Sequence, residues 1–163
     1  MEDKQRMYIS PTYGEMTEQQ VFEKIAYALK NTRDGDFVIT VGTDSQRHGM
    51  QTRLVPVISV WNQGKGGFYF YLIEYIPNPK SIRNKIYEET AKSLDRAKRL
   101  VEFLEFEGID NVPIIDVDMG KSPHGKTAEL IKEIVGWVTA EGFECHYKQN
   151  SNTASCIADR ITK

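Results

Sequence analysis

Between Phe37 and Tyr75, three runs rich in β-branched and aromatic residues follow one another with only short turn segments between them. Such side chains pack well on a pleated surface, so each run favours a strand. The first, residues 37–43, is apolar and stops on Gly42 and Thr43. The second is "TRLVPVISVW", residues 52–61, where Pro56 hints at an edge or a bulge because proline cannot donate to a ladder. The third is "GFYFYLIEY", residues 67–75, and "NQGKGG" before it reads as a hairpin turn. Strands joined by such short turns must run antiparallel. "IPNPKS" then breaks the sheet.

Beyond the break the pattern alternates. A long helix is predicted from about Ile82 to Phe106, closed by "GIDN". A fourth strand, "VPIIDVDM", follows. After the loop "GKSPHG" comes a helix over Thr127–Ala140, with Leu130, Ile131, Ile134, Val135 and Val138 on its core face. "FECHYK", residues 143–148, is a short fifth strand, and "QNSNTASCIADRITK" is a polar loop leading into a last helix. Upstream, "YISPTYGEM" is rich in turn residues. Thr17 then caps a helix with Gln20 in capping-box position and an apolar stripe of Val21, Phe22, Ile25, Ala28 and Leu29. The order α, β-β-β, α, β, α, β, α describes an α/β fold, a mixed five-stranded sheet flanked by helices with an extra N-terminal helix. A length of 163 residues suggests one domain, with residues 1–35 as an extension and 37–163 as the core.

Charge narrows the function. A formal net charge of -2 excludes a polycation that holds nucleic acid by bulk electrostatics. Any such role needs a local basic surface or a metal bridging to phosphate. The opening "MEDKQRMYIS" has no apolar signal region, and no apolar run is long enough to span a membrane. Cys145 and Cys156 have no CxxC spacing and read as thiols of a cytoplasmic protein. The scattered His48, His124 and His146 do not make a structural zinc site.

The acids are more informative. Asp44 follows the first apolar run, either as a turn residue finishing a strand or as a metal ligand. Asp116 and Asp118 are two apart on the fourth strand and point the same way. Two like charges on one face of a buried strand need a counter-ion, hydrogen bonds or exposure. On the long helix, Glu88 lines up with Lys92, Asp95, Arg99 and Glu102 and faces solvent. Glu89 lines up instead with Ser93, Ala97, Leu100 and Leu104, so it faces the protein, as a ligand or as a marginal ion-pair residue. Asp159 lies in the last helix beside small residues, where an exposed helix acid is the simpler alternative. Lys85, Lys92, Arg96 and Arg99 share one helix face, but Glu88, Asp95 and Glu102 are interspersed with them.

"VGTDSQ" (41–46), "EETAKSL" (88–94), "IDVDMG" (115–120) with the following "GKTAELIKEIVGWV", and "ASCIADRITK" (154–163) resemble the bacterial YkuK-type family of ribonuclease H-like proteins. The resemblance spans roughly Phe37 to Lys163, and "GTDSQ" and the closing "AD-R-ITK" are its most specific pieces. It implies an acidic tetrad of Asp44, Glu89, Asp118 and Asp159, with Asp116 as the alternative to Asp118. It also implies Mg²⁺ or Mn²⁺ as cofactor, held as two ions about 3.5–4 Å apart, with Asp44 bridging and Asp159 completing the second site. Nucleic acid is the implied partner, whether RNA, DNA or hybrid, and two-metal phosphodiester hydrolysis is the implied activity. Ser45, Gln46, Lys121 and His124 are the implied substrate contacts, with Ser122 and Lys126 in the same loop as phosphate candidates. The alternative reading is a non-catalytic ribonuclease H-like module that binds nucleic acid or a protein.

Overall fold

A computed structural model describes residues 7–119 and 125–147. Its elements are β1 (Tyr8–Ser10), β2 (Gly14–Met16), α1 (Glu18–Asn31), β3 (Phe37–His48), β4 (Gln51–Asn62) and β5 (Gly66–Tyr71), then β6 (Glu74–Pro77), α2 (Ile82–Phe106), β7 (Ile114–Val117), α3 (Gly125–Ala140) and β8 (Glu144–Tyr147). The strands form one sheet in the order β2-β1-β5-β4-β3-β7-β8, with β6 beside β4. β3, β4 and β5 are an antiparallel meander, while β7 runs parallel to β3 and β8 parallel to β7. This is the mixed α/β arrangement read from the sequence.

The sheet is nevertheless larger than the five expected strands. The turn-rich opening is itself a hairpin, β1–β2, attached to β5 through Ile9 and Tyr71. The third run is two strands. Val57–Asn62 of β4 pairs with β5, and Gln51–Leu54 pairs with β6. Pro56 stands at the changeover, where its carbonyl accepts from Leu72 N at 3.0 Å. A strand residue's N–H and C=O point to the same side, so the missing N–H of Pro56 falls at the gap between β5 and β6.

The first run is also longer than its apolar part. β3 continues through Asp44 to His48, because β4 pairs with it along its whole length and Asp44 lies opposite Val55. The expected strand end at Thr43 is therefore corrected. The turn comes at Gly49 and Met50 instead, where Gly49 takes a φ of 62° that suits a residue without Cβ.

α1 and α2 begin as the sequence predicts, whereas α3 begins at Gly125, two residues before the expected Thr127. Thr17 Oγ1 accepts from Gln20 N at 3.1 Å, and Gln20 Oε1 accepts from Thr17 N at 2.8 Å. Ser81 caps α2 by accepting from Asn84 N at 3.1 Å. The inward line of α2, from Glu89 through Ser93, Ala97, Leu100 and Leu104, is buried as predicted. One core cluster joins α1, α2 and α3 to Ile39, Val41, Ile58, Val60, Ile115 and Val117 of the sheet. By strand alternation these side chains share one face, and Val55 and Val57 form a smaller cluster with Tyr69, Tyr71 and Ile73 on the other.

The shared basic face of α2 is corrected too. Arg96 is buried and ion-paired with Glu74 of β6, and Lys92 lies 3.7 Å from the same carboxylate. Arg99 donates to Glu18 at 2.6 and 3.0 Å, and Glu18 also accepts from the Tyr8 hydroxyl at 2.9 Å. These cations tie α2 to β6 and to the N-terminal segment. No helix among the described residues is long and apolar enough to cross a membrane. The predicted last helix lies outside the described residues, and so do Asp159, Cys156, Lys121, Ser122 and His124; the side chain of Lys126 is likewise outside them.

Candidate acidic site

Where β7 stops pairing with β3, two strand acids come level with each other and a third acid lies on the adjoining helix. The last matched pair of this ladder is Gly42 with Asp116. Carried two residues along both strands, the register brings the positions of Asp44 and Asp118 level. Alternation puts both acids on the face away from α2, while Thr43 and Ser45 face the helix. Asp44 is buried inside its strand and Asp118 is exposed just past the end of β7.

Two hydroxyl contacts fix α2 against this point. The hydroxyls of Thr43 and Ser93 lie 2.8 Å apart, and Ser45 Oγ donates to Glu89 Oε1 at 2.5 Å. The Ser45 position, read as a substrate contact, thus orients Glu89, while its neighbour Gln46 is exposed. Glu89 is 2% exposed. Burial pushes its carboxyl up to about 8, and the negative charges of Asp44 and Asp118 push the same way. The Ser45 bond and Lys85, whose Nζ lies 3.9 Å away, act in the opposite sense. Glu89 therefore feels both strand acids through a poorly solvated region.

Asp116 has a different setting. It is buried one residue pair back from the site, level with His146 of β8. Its charge adds to the burial that lifts the Cys145 thiol to about 11, which leaves that cysteine a poor nucleophile. His146 Nε2 lies 2.8 Å from Glu144 Oε1. The charge of Asp118 is among those that raise the Glu89 carboxyl.

All these donors are carboxylate oxygens, the chemistry that Mg²⁺ and Mn²⁺ favour. A buried carboxyl that two negative neighbours push toward protonation suits a divalent cation, which would reverse that balance. Among the described residues, however, no three acid, histidine or cysteine side chains stand close enough together to form a metal-holding group. Glu89 is the acid whose place the sequence periodicity identifies best. The hydroxyl pair Thr43–Ser93 was missed, because nothing in spacing couples positions 50 residues apart.

The model of the ribonuclease H-like family matches residues 20–163, which includes α1 as well as the expected core. The "Uncharacterized protein YkuK" of Bacillus subtilis (strain 168) is 30% identical over 169 aligned positions, covering 96% of this chain and 97% of that protein. No solved structure gives a match.

Proposed function

Because this chain belongs to the ribonuclease H-like family, and within it to the YkuK type, we propose that it is a metal-dependent hydrolase of phosphodiester bonds in nucleic acid. Its metal ligands in this reading are Asp44, Glu89, Asp118 and Asp159, with Asp116 the alternative to Asp118. The observation that carries the proposal is the buried Glu89 carboxyl, tied to Ser45 and raised by the charges of Asp44 and Asp118. Mg²⁺ or Mn²⁺, when bound, supplies Lewis acidity toward the scissile phosphate and its attacking water. The protein's own part is positional. Ser45 aims one oxygen of Glu89, and Thr43 with Ser93 sets the height of α2 against β3. Glu89 would hold the cation through its carboxylate, whose pKa burial and the charges of Asp44 and Asp118 raise to about 8.

A non-catalytic module is the second reading, favoured by the lack of a preassembled three-ligand group among the described residues. Calorimetric titration with Mn²⁺ and Mg²⁺, wild type beside Asp44→Asn, separates the two. Labelled single strands, duplexes and hybrids are then incubated with each sample. The hydrolase reading expects ion binding lost in the variant and ion-dependent cleavage by the wild type alone. Ion binding without cleavage of any substrate supports the module. No ion binding by the wild type refutes the metal site.

A further inference from the structure

A cavity of about 210 Å³ opens between the tip of the β3–β4 hairpin and the start of α2, lined by Ser45, Arg47, Thr52, Pro79, Ile82 and Lys85 among others. No carboxylate lines it among the described residues. Its charged groups are Arg47 and Lys85. Arg47 Nε donates to the Gly49 carbonyl at 3.4 Å, and no described carboxylate pairs with it. The cavity adjoins the acidic site through two of its own lining residues. Ser45 donates to Glu89, and Lys85 lies 3.9 Å from it.

The surroundings repeat this charge. Between Ser45 and Tyr87 the chain carries Arg47, Arg53, Lys65, Lys80, Arg83 and Lys85 against one acid, Glu74. Glu74 is buried and already paired with Arg96 and Lys92. Lys65 sits at the far end of β4, and Arg83 is held by Glu133 at 2.6 Å. On the opposite face of the hairpin Arg53 lies 5.7 Å over the Tyr75 ring. That leaves Arg47 and Lys85 in the cavity lining, with Lys80 between the lining residues Pro79 and Ser81. Apolar groups are exposed in the cavity lining and at the hairpin tip. Ile82, at the cavity, is 74% exposed, and Met50, at the hairpin tip, is 89% exposed.

Cations around a recess with hydroxyl and amide groups suit a phosphate. The exposed Ile82 side chain in its lining suits the face of an unpaired base, and Met50 offers a second apolar surface at the tip of the hairpin that borders the cavity. A duplex keeps its base faces stacked inside and would leave Ile82 and Met50 in water. We infer that this cavity holds a backbone phosphate of a single-stranded nucleic acid, with adjoining unpaired bases resting on Ile82 and Met50. The inference rests on the hydrolase reading for its place in a reaction, but its test does not need catalysis.

That test is fluorescence anisotropy in EDTA, using one labelled oligonucleotide as a single strand and as a duplex. The single strand is expected to bind several-fold tighter, since only it can bury the exposed apolar surface of Ile82 and Met50 against unpaired bases. Arg47→Gln and Lys85→Gln are each expected to weaken binding several-fold. Each should also reduce the slope of log K against log salt by about 0.7, as for the loss of one phosphate contact. Ile82→Ser should weaken single-strand binding with the slope unchanged. Thermal melting of each variant checks folding, and Arg47→Gln touches no acid of the candidate site. Duplex binding equal to or tighter than the single strand overturns the inference, as do unchanged affinities in Arg47→Gln and Lys85→Gln. Absence of oligonucleotide binding, with retention on anionic phosphatidylserine vesicles that depends on the same residues, would assign the surface to a membrane instead. Single-strand binding of the expected pattern without Mn²⁺-dependent cleavage would sustain this surface and remove the hydrolase reading.

Discussion

Replacing Glu89 by Gln should change how stability depends on pH, and the size of the change follows from where the carboxyl sits. Gln keeps an acceptor for Ser45 Oγ but cannot ionise. In the wild type, burial and the charges of Asp44 and Asp118 raise the Glu89 carboxyl from 4.5 to about 8. Below pH 4.5 the group is protonated in both folded and unfolded chains, and it contributes no pH dependence. Between 4.5 and about 8 the unfolded chain loses its proton while the folded chain keeps it, so stability falls as pH rises. Above about 8 both are ionised and the loss is complete. At about 1.4 kcal/mol per pH unit, the full loss is on the order of 5 kcal/mol. The assay is urea unfolding in EDTA at steps from pH 5 to pH 9, for wild type and Glu89→Gln. The two should differ least at the acid end, and the variant should be the more stable by several kcal/mol at the alkaline end. Parallel curves, or a wild type more stable than the variant at pH 9, would refute the argument that Glu89 is held in a desolvated, negatively charged setting.

The buried pair of Arg96 and Glu74 yields a second prediction. Arg96→Met removes the guanidinium paired with the buried Glu74 and leaves Lys92 3.7 Å from it, and should cost roughly 3–5 kcal/mol in urea unfolding. Adding Glu74→Leu should recover much of that loss, and a double variant no more stable than the single would count against the pair. Ser93→Ala breaks the bond to Thr43 and should cost about 1–3 kcal/mol. Thr43→Val should cost less in the Ser93→Ala background than in the wild type, and strict additivity would show that the two hydroxyls do not act together.

What could be read in the sequence follows from the range of each interaction. The inward line of α2 is a local repeat, so the sequence alone places Glu89 on the protein side. The branched and aromatic runs located β3, β4 and β5 for the same reason. Asp44 was harder. The apolar run stops at Thr43, but the strand goes on because the polar arm of β3 is paired throughout with β4. Period and propensity do not register pairing with a distant partner. β1 and β2 have three residues each, too few for a pattern, and β1 depends on β5, about 60 positions away, for its place in the sheet. Arg96 looked like a surface charge because its counter-ion, Glu74, belongs to another element. The family motifs favour Asp118 over Asp116 as the site acid, a choice that spacing on the strand leaves open because both point the same way. Asp159 lies outside the described residues.

The small β1–β2 hairpin has a bearing on solubility. β5 carries the sequence GGFYFY, an uncharged aromatic strand of the type that recruits other chains when its backbone lies open. Here it is not the margin of the sheet. β1 lies against it, and the outermost strand is Gly14–Met16, short and carrying the exposed Glu15. A chain beginning at Thr17 would retain the cap and body of α1. It would also turn a guarded strand into a template, so that the first ten described residues protect this protein from its own neighbours.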